Sequence, residues 1–211
     1  MKKIFGIIVL TVVVIVCILI GIHNFRVSVK NKKEMAQYSG DTVSVQNNFG
    51  RVLVVYYSLS GNTKTLAEKI QSKTGADIYK ISTEEEIKPG IMTIIKLMLK
   101  GKNAVIPVLT NDLPDIGQYD MIFVGSPVWT YTIASPLKAF LKKVDFQGKK
   151  IVLFSSQGSN VGSYYEDFVQ EVKNAEIISY QSFNNLPERY DAAVDNKISV
   201  WLNKITISGS N

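Results

Sequence analysis

The first residues whose types and spacing are suited to chemistry are Ser58-Leu59-Ser60-Gly61-Asn62-Thr63. They follow an apolar, β-branched run at residues 51–57 (RVLVVYY), which is typical of a buried strand, and a helical pattern begins at Thr63. A helix N-terminus presents unpaired N–H groups and a partial positive charge, so a loop at this place binds phosphate without Lys or Arg. A plain strand–helix turn with one capping hydroxyl is the alternative. Because three hydroxyls around a glycine exceed what a cap needs, we predict a phosphate-binding loop formed by Ser58, Ser60, Gly61, Asn62 and Thr63.

A second loop, GSPVWTYT at residues 125–132, combines two large aromatic side chains with a proline. Aromatic side chains at the end of a strand suit a planar ligand that needs a stacking surface. The alternative is that Trp129 and Tyr131 fill a gap over the sheet, and this loop alone does not decide between the two. The candidate ligand contacts here are Ser126, Pro127, Trp129, Thr130 and Tyr131.

A third loop, SSQGSNVG at residues 155–162, follows the apolar run KKIVLF. Its density of Gly and Ser fits a backbone that wraps the edge of a ligand and turns N–H groups toward it. Ordinary loop composition is the alternative, since Gly, Ser and Asn favour turns for conformational reasons of their own. The candidate contacts are Ser156, Gln157 and Gly158.

The three loops resemble those of the flavodoxin family, in the family's order and spacing. Residues 58–63 are similar to the family's Ser/Thr-x-Ser/Thr-Gly-Asn-Thr phosphate loop, and TIASPL at 132–137 is similar to the segment after its aromatic loop. Two places depart from the family pattern: Thr130-Tyr131, where relatives often carry a small residue with Gly, and Gln157, which replaces a Gly. The resemblance covers about residues 51–202 and implies bound flavin mononucleotide (FMN), with one- or two-electron chemistry through its ring.

The elements that must position these loops alternate between strand and helix. The predicted strands are residues 51–57, 78–81, 121–124, 149–154 and 175–179, and the predicted helices are 63–73, 137–144, 164–173 and 190–205. Alternation without hairpin signals predicts an α/β fold with a parallel sheet covered on both faces. Five strands suggest the flavodoxin-like, doubly wound order 2-1-3-4-5, in which ligands bind at the carboxyl ends of the strands.

One segment, residues 87–102, is an insertion between the second and third strands. Its apolar residues are interrupted by Lys96 and Lys100, so it can form a basic amphipathic helix that lies on a membrane. The favoured alternative is a helix packed beside the ligand loops, because apolar residues normally find a core.

The N-terminus carries 19 uncharged residues, from Ile4 to Ile22. At about 1.5 Å per residue this run spans roughly 28 Å, close to the thickness of a bilayer's hydrocarbon core. It exceeds the usual length of a signal-peptide core, and no small-residue cleavage site follows. We predict a single-pass anchor at residues 1–23, a polar linker at 24–50 and a flavodoxin-like domain at 51–205. Basic residues flank both ends of the run, and their count favours a cytoplasmic domain.

Charge and residue counts exclude several functional classes. The net charge is +6, and Lys2, Lys3, Arg26, Lys30, Lys32 and Lys33 supply all of this excess, since no acid precedes Glu34. A nucleic-acid partner is therefore not expected, because phosphate contacts need a basic face on the folded unit, whereas basic residues beside an anchor attract membrane lipid. Cys17 and His23, the single Cys and His, lie in or beside the apolar run, which disfavours zinc sites, Ser-His-Asp triads and thiol nucleophiles.

The leading hypothesis is FMN-dependent electron transfer at a membrane, by an electron carrier or by a small reductase with a quinone-type or similar acceptor. A flavin-free binding or scaffold module on the same fold, held at the membrane, is the alternative, since a fold does not dictate a function. The electron donor, the acceptor and the oligomeric state stay open. The three loops contain no Asp or Glu, and this absence suggests a flavin that is less strongly reducing than one ringed by acids.

Overall fold

The computed structural model describes residues 2–85, 87–101 and 105–206. The strands are β1 Val52–Tyr56, β2 Asp77–Lys80, β3 Met121–Trp129, β4 Thr132–Ile133, β5 Lys149–Gln157 and β6 Ala175–Asn184. The helices of at least eight residues are α1 Lys2–Ala36, α2 Asn62–Thr74, α3 Ile91–Lys100, α4 Ser135–Lys143, α5 Tyr164–Glu171 and α6 Asp191–Lys204. The predicted insertion forms α3, and its last residue, Lys102, lies outside the described residues.

The long strands form one parallel sheet in the order β2-β1-β3-β5-β6. This arrangement confirms the predicted doubly wound α/β fold with parallel strands in the order 2-1-3-4-5. Three strands continue beyond their apolar runs: β3 to Trp129, β5 to Gln157 and β6 to Asn184. Because polar Ser and Gln residues still pair through their backbones in this region, apolar patterning alone predicted the ends of these strands too early.

The short strand β4 was not predicted and pairs antiparallel with the end of β3. The turn between them consists of Thr130 and Tyr131, whose φ angles are 47° and 66°. Two consecutive positive φ angles are typical of type I′ hairpin turns, which ordinarily carry Asn and Gly. Since neither of those residues is present, no hairpin signal marks this place in the sequence.

Side chains alternate between two cores, one on each face of the sheet. Val54, Phe123 and Val152 point to the face covered by α2 and α6. Their neighbours Val55, Val124 and Leu153 point to the face covered by α4 and α5. Burial on both faces explains why these strands consist of continuous apolar runs, and it leaves the loops at the carboxyl edge as the open part of the sheet.

The N-terminal region departs from the predicted division into a helix to residue 23 and a polar linker over 24–50. Helix α1 continues to Ala36, and Met35, at its end, is buried in the α2–α6 core. The chain then runs along α6, where Val43 donates its backbone N–H to Asn196 and Asn47 donates to two carbonyls at the helix end, at distances between 2.9 and 3.0 Å. Phe49 is also buried. Apolar residues scattered through this polar stretch have no periodicity that marks them in sequence, and only the surface of α6 gives them a place to pack.

Among the side chains that the structure describes, those of Ile4 and of residues 6–22 in α1 are all exposed. The helix is long and apolar enough to cross a membrane.

Candidate functional site

The three predicted loops meet at the carboxyl edge of the sheet. A cleft of about 290 Å³ lies there, between the β3–β4 hairpin, the end of β5 and helix α3. Its lining residues are Leu59, Leu97, Val128, Trp129, Thr130, Tyr131, Gln157, Gly158, Ser159 and Asn160. The loop before α2 reaches the lining through Leu59, so one ligand can touch all three loops.

The loop before α2 is built to expose a helix N-terminus. Gly61, the N-cap residue directly before α2, takes a φ of 94°, and as a glycine it makes no side-chain capping hydrogen bond. The Ser58 hydroxyl accepts the Gly61 N–H at 3.2 Å, and the Asn62 amide donates to the Ser60 hydroxyl at 3.1 Å. The loop's side chains therefore shape the loop itself, and they leave the start of α2 available to an anion, where the helix dipole favours negative charge.

Thr63 and Ser156 join the first and third loops. Both are buried, and their hydroxyl oxygens lie 2.7 Å apart. The structure thus brings these two predicted site residues together, although they are hydrogen-bonded to each other beneath the loops. Their contact holds the start of α2 against the end of β5.

The two aromatic residues of the second loop occupy different environments. Trp129 is only 8% exposed and packs edge to face against Tyr57, with ring centroids 5.5 Å apart. Tyr131 is 62% exposed at the rim of the cleft. Burial raises the pKa of Tyr57 to about 12, so this phenol is neutral at physiological pH. Trp129 is therefore a fixed wall of the cleft, and Tyr131 is a wall open to solvent.

The Thr130–Tyr131 turn is held from outside by the start of α5. The Ser163 N–H donates to the Tyr131 carbonyl at 2.8 Å. Gly162 lies so close that an added Cβ would sit 2.3 Å from both the Cβ and the carbonyl oxygen of Tyr131. The Asp167 carboxylate accepts hydrogen bonds from the hydroxyls of Thr132 and Ser163. These contacts keep two non-glycine residues in a left-handed conformation that each disfavours.

Ser126 and Pro127 lie in β3, and Ser126 is fully buried below the cleft. The hydroxyl of Tyr164 accepts the Ser126 N–H at 3.0 Å and lies 3.0 Å from the Ser126 hydroxyl. Burial raises the pKa of Tyr164 above its ordinary value, so the phenol stays protonated. Sequence reasoning missed Tyr164, because a tyrosine on a helical stripe looks like any other core residue.

Gln157 connects the cleft to the N-terminal helix. Its side-chain amide donates to Asn184 at the end of β6, at 3.2 Å, and its oxygen accepts the Ser155 hydroxyl at 3.2 Å. Asn184 in turn donates to Asn31 of α1, at 2.7 Å. The glutamine that departs from the family pattern thus forms part of a polar chain across the carboxyl edge.

Five lining residues were not predicted: Leu59, Leu97, Val128, Ser159 and Asn160. Four of them lie in the predicted loops, where an isolated apolar residue or one more Ser or Asn carries no functional signal. Leu97 belongs to α3, and its position confirms the expectation that this helix packs beside the ligand loops. Among the residues that the structure describes, no cluster of His, Cys, Asp or Glu is arranged to hold a metal ion.

Known proteins share this architecture. Among curated proteins, a flavodoxin from Synechocystis sp. is 27% identical over 122 residues, which cover 56% of this chain and 57% of that flavodoxin. The chain therefore spans little more than half the length of this relative. A flavoprotein from Lactobacillus acidophilus NCFM, solved in complex with FMN, has a TM-score of 0.57 at 24% identity and covers 72% of this chain and 98% of its own.

A protein of known structure from Bacteroides eggerthii DSM 20697 gives a TM-score of 0.59 at 22% identity, over 75% of this chain and 99% of that one. At these identities the two solved structures show the fold alone. A family model described as Flavodoxin matches residues 51–205, which include every strand of the sheet and all three loops. The chain therefore belongs to the flavodoxin family.

Proposed function

We propose that this protein binds FMN at the carboxyl edge of its sheet and transfers electrons at a membrane. The observation that carries the proposal is one cleft where an uncapped helix N-terminus, an aromatic wall and the loop after β5 meet, in a chain of the flavodoxin family. FMN is also the ligand of the Lactobacillus acidophilus flavoprotein, which shares the fold.

The residues present fit the three parts of FMN. The phosphate would lie at the start of α2, where backbone N–H groups and the hydroxyls of Ser58 and Ser60 are the donors. The flavin ring would lie against Trp129 and Tyr131, and its polar edge would face the backbone of residues 157–160. When bound, FMN supplies a ring that accepts and releases one or two electrons.

The protein's own contribution is to hold that ring in a fixed electrostatic environment. Tyr57 and Trp129 are buried against each other, so the inner wall does not need to reorganise when a ligand enters. None of the residues that line the cleft is acidic. A negative charge on the reduced flavin would therefore meet no nearby carboxylate in the lining, which supports a potential above that of an acid-ringed flavin.

Helix α1 supports the membrane part of the proposal. Its apolar stretch is exposed, which distinguishes it from the core helix of a soluble protein. The same helix continues without a break into turns that pack on the domain, where Met35 is buried. This continuity favours a retained anchor over a cleaved signal peptide, and the count of flanking positive charges favours a cytoplasmic domain.

The decisive experiment is to purify the full chain in a mild detergent, record its absorbance spectrum and identify any bound cofactor by chromatography. We expect a yellow protein that contains FMN. A colourless preparation that also fails to bind added FMN would refute the proposal and favour the flavin-free scaffold.

A second measurement isolates the phosphate site. Replacing Ser58 and Ser60 with alanine should weaken FMN binding by about tenfold for each lost hydrogen bond to the phosphate, or ~1.5 kcal/mol. Binding of riboflavin, which lacks the phosphate, should change little. Ser72→Ala, near the opposite end of α2, is the matched control and should leave both affinities unchanged. Equal losses for FMN and riboflavin would place the phosphate elsewhere.

A further inference from the structure

Helix α1 meets the domain at the edge of the sheet that carries the cleft. Asn31 accepts a hydrogen bond from Asn184, the last residue of β6, and Lys30 lines a cavity of about 370 Å³ together with Ser159 and Asn160. The following residues descend along α6 toward the amino edge of the sheet, and Phe49 is buried just before β1 begins. The apolar part of α1 therefore projects away from the domain on the side of the carboxyl edge.

The connection between the apolar run and this edge is short and helical. Asn31 lies nine positions after Ile22, which corresponds to a rise of about 14 Å along an unbroken helix. The headgroup layer outside the hydrocarbon core occupies about 5–8 Å of that distance. The ion pair between Glu34 and the buried Lys197, at 2.7 Å, fixes the helix to α6 directly below this contact. A rigid strut of this length holds the carboxyl edge close to the lipid headgroups.

Helix α3 places apolar side chains at the same edge. Leu97 lines the cleft, whereas Met92, Ile95 and Leu99 are 62%, 41% and 83% exposed on the other side of the helix. Three exposed apolar residues at helical spacing are unusual for a surface that faces only water. Helix α3 itself contains Lys96 and Lys100 and no Asp or Glu, so its own charge suits anionic lipid headgroups, whereas the acidic residues Glu84 and Glu85 lie before it in the chain.

We propose that the flavin-binding edge is held against the bilayer and that the exposed face of α3 lies in the lipid interface beside the cleft. This inference rests on the membrane anchor proposed above, and the partner of the exposed α3 face is the same bilayer that holds α1. Two independent features support it: the short helical connection in α1 and the exposed apolar face of α3 both place the carboxyl edge of the sheet next to the bilayer. Electrons would then reach or leave the cleft from the membrane side.

The test uses the full chain in nanodiscs whose lipids are phosphatidylcholine and phosphatidylglycerol. In a Cys17→Ser background, a spin label is attached at Leu99→Cys, or at Gln118→Cys as a matched control on the exposed amino edge. The label's collisions with oxygen, which concentrates in lipid, are compared with those of a water-soluble nickel complex. We expect the oxygen-to-nickel ratio at Leu99 to exceed that at Gln118 several-fold. The additional substitution Lys96→Glu should lower the ratio at Leu99, because a carboxylate is repelled by anionic headgroups.

Equal ratios at the two positions would overturn the proposal. A label at Leu99 that is shielded from both reagents would also overturn it, because this result indicates contact with protein, such as a second copy of the chain. The flavin spectrum of the same sample separates this inference from the proposed cofactor. A colourless protein with Leu99 in lipid would refute FMN binding alone, and an FMN-loaded protein with Leu99 in water would refute the lipid contact alone.

Discussion

Replacing Gly162 with alanine should destabilise the protein and distort the cleft, because this glycine packs against the backbone of the Thr130–Tyr131 turn. Its φ is +58°, and the added Cβ would approach the Tyr131 Cβ, carbonyl oxygen and Cα to between 2.3 and 2.6 Å. A left-handed alanine costs about 1 kcal/mol relative to glycine. Overpacking against atoms that cannot rotate away adds about 1–3 kcal/mol. The expected total loss of unfolding free energy is about 2–4 kcal/mol.

A matched control separates strain from collision. Gly148, between α4 and β5, has a φ of +77°, and an added Cβ there meets no atom within 4 Å. Gly148→Ala should therefore cost only the strain of about 1 kcal/mol. The difference between the two variants measures the contact of residue 162 with the hairpin.

The assay is urea denaturation of the full chain in a mild detergent, followed by tryptophan fluorescence, with FMN affinity measured separately. Because the hairpin carries both aromatic walls of the cleft, Gly162→Ala should weaken FMN binding at least about tenfold, whereas Gly148→Ala should leave it unchanged. Equal destabilisation by the two variants, or an unchanged FMN affinity in Gly162→Ala, would refute the role given to this packing.

Three further predictions follow from named contacts. Glu34→Gln should lower the unfolding free energy by about 3 kcal/mol, because it leaves the ammonium of Lys197, whose side chain is 6% exposed, without its carboxylate. The double variant Glu34→Leu with Lys197→Met should regain most of this unfolding free energy when it is measured by denaturation. A double variant whose loss equals the sum of the losses at the two positions would argue against the ion pair. Stability should fall between pH 10 and about 12, because burial raises the pKa of Tyr57 in the folded protein, so that over this range the phenol ionises in the unfolded chain while it stays protonated in the folded one. The thermal midpoint of Tyr57→Phe should fall less over this range than that of the unaltered protein. An identical decline would exclude Tyr57 as a source of the pH dependence. Ser159→Asp should lower the potential of the second flavin reduction step by about 50 mV, since it adds a carboxylate to the cleft lining. Ser159→Asn is the uncharged control in the same redox titration. Equal potentials for the two variants would show that solvent screens a charge in the cleft lining.

The strand order was predicted by likeness to the flavodoxin fold, whereas the sequence alone was sufficient for the buried parallel strands and for the three loops at their carboxyl edge. Both depend on local signals: continuous apolar runs mark strands buried on both faces, and the residues directly after such runs lie at the carboxyl edge. Since parallel strands bring those ends together, Leu59, Trp129 and Gly158 line one cleft although they are far apart in the chain.

Only the tertiary structure decided how these residues are used. It buries Ser126 against Tyr164, exposes Tyr131 while burying Trp129, and holds Thr130 in a left-handed turn that its own propensity opposes. It also docks Asn31 beside Asn184, which joins the apolar helix to the edge that carries the cleft. Each of these outcomes depends on a contact between residues distant in sequence, and the energy of such a contact exists only after the chain has brought both partners together.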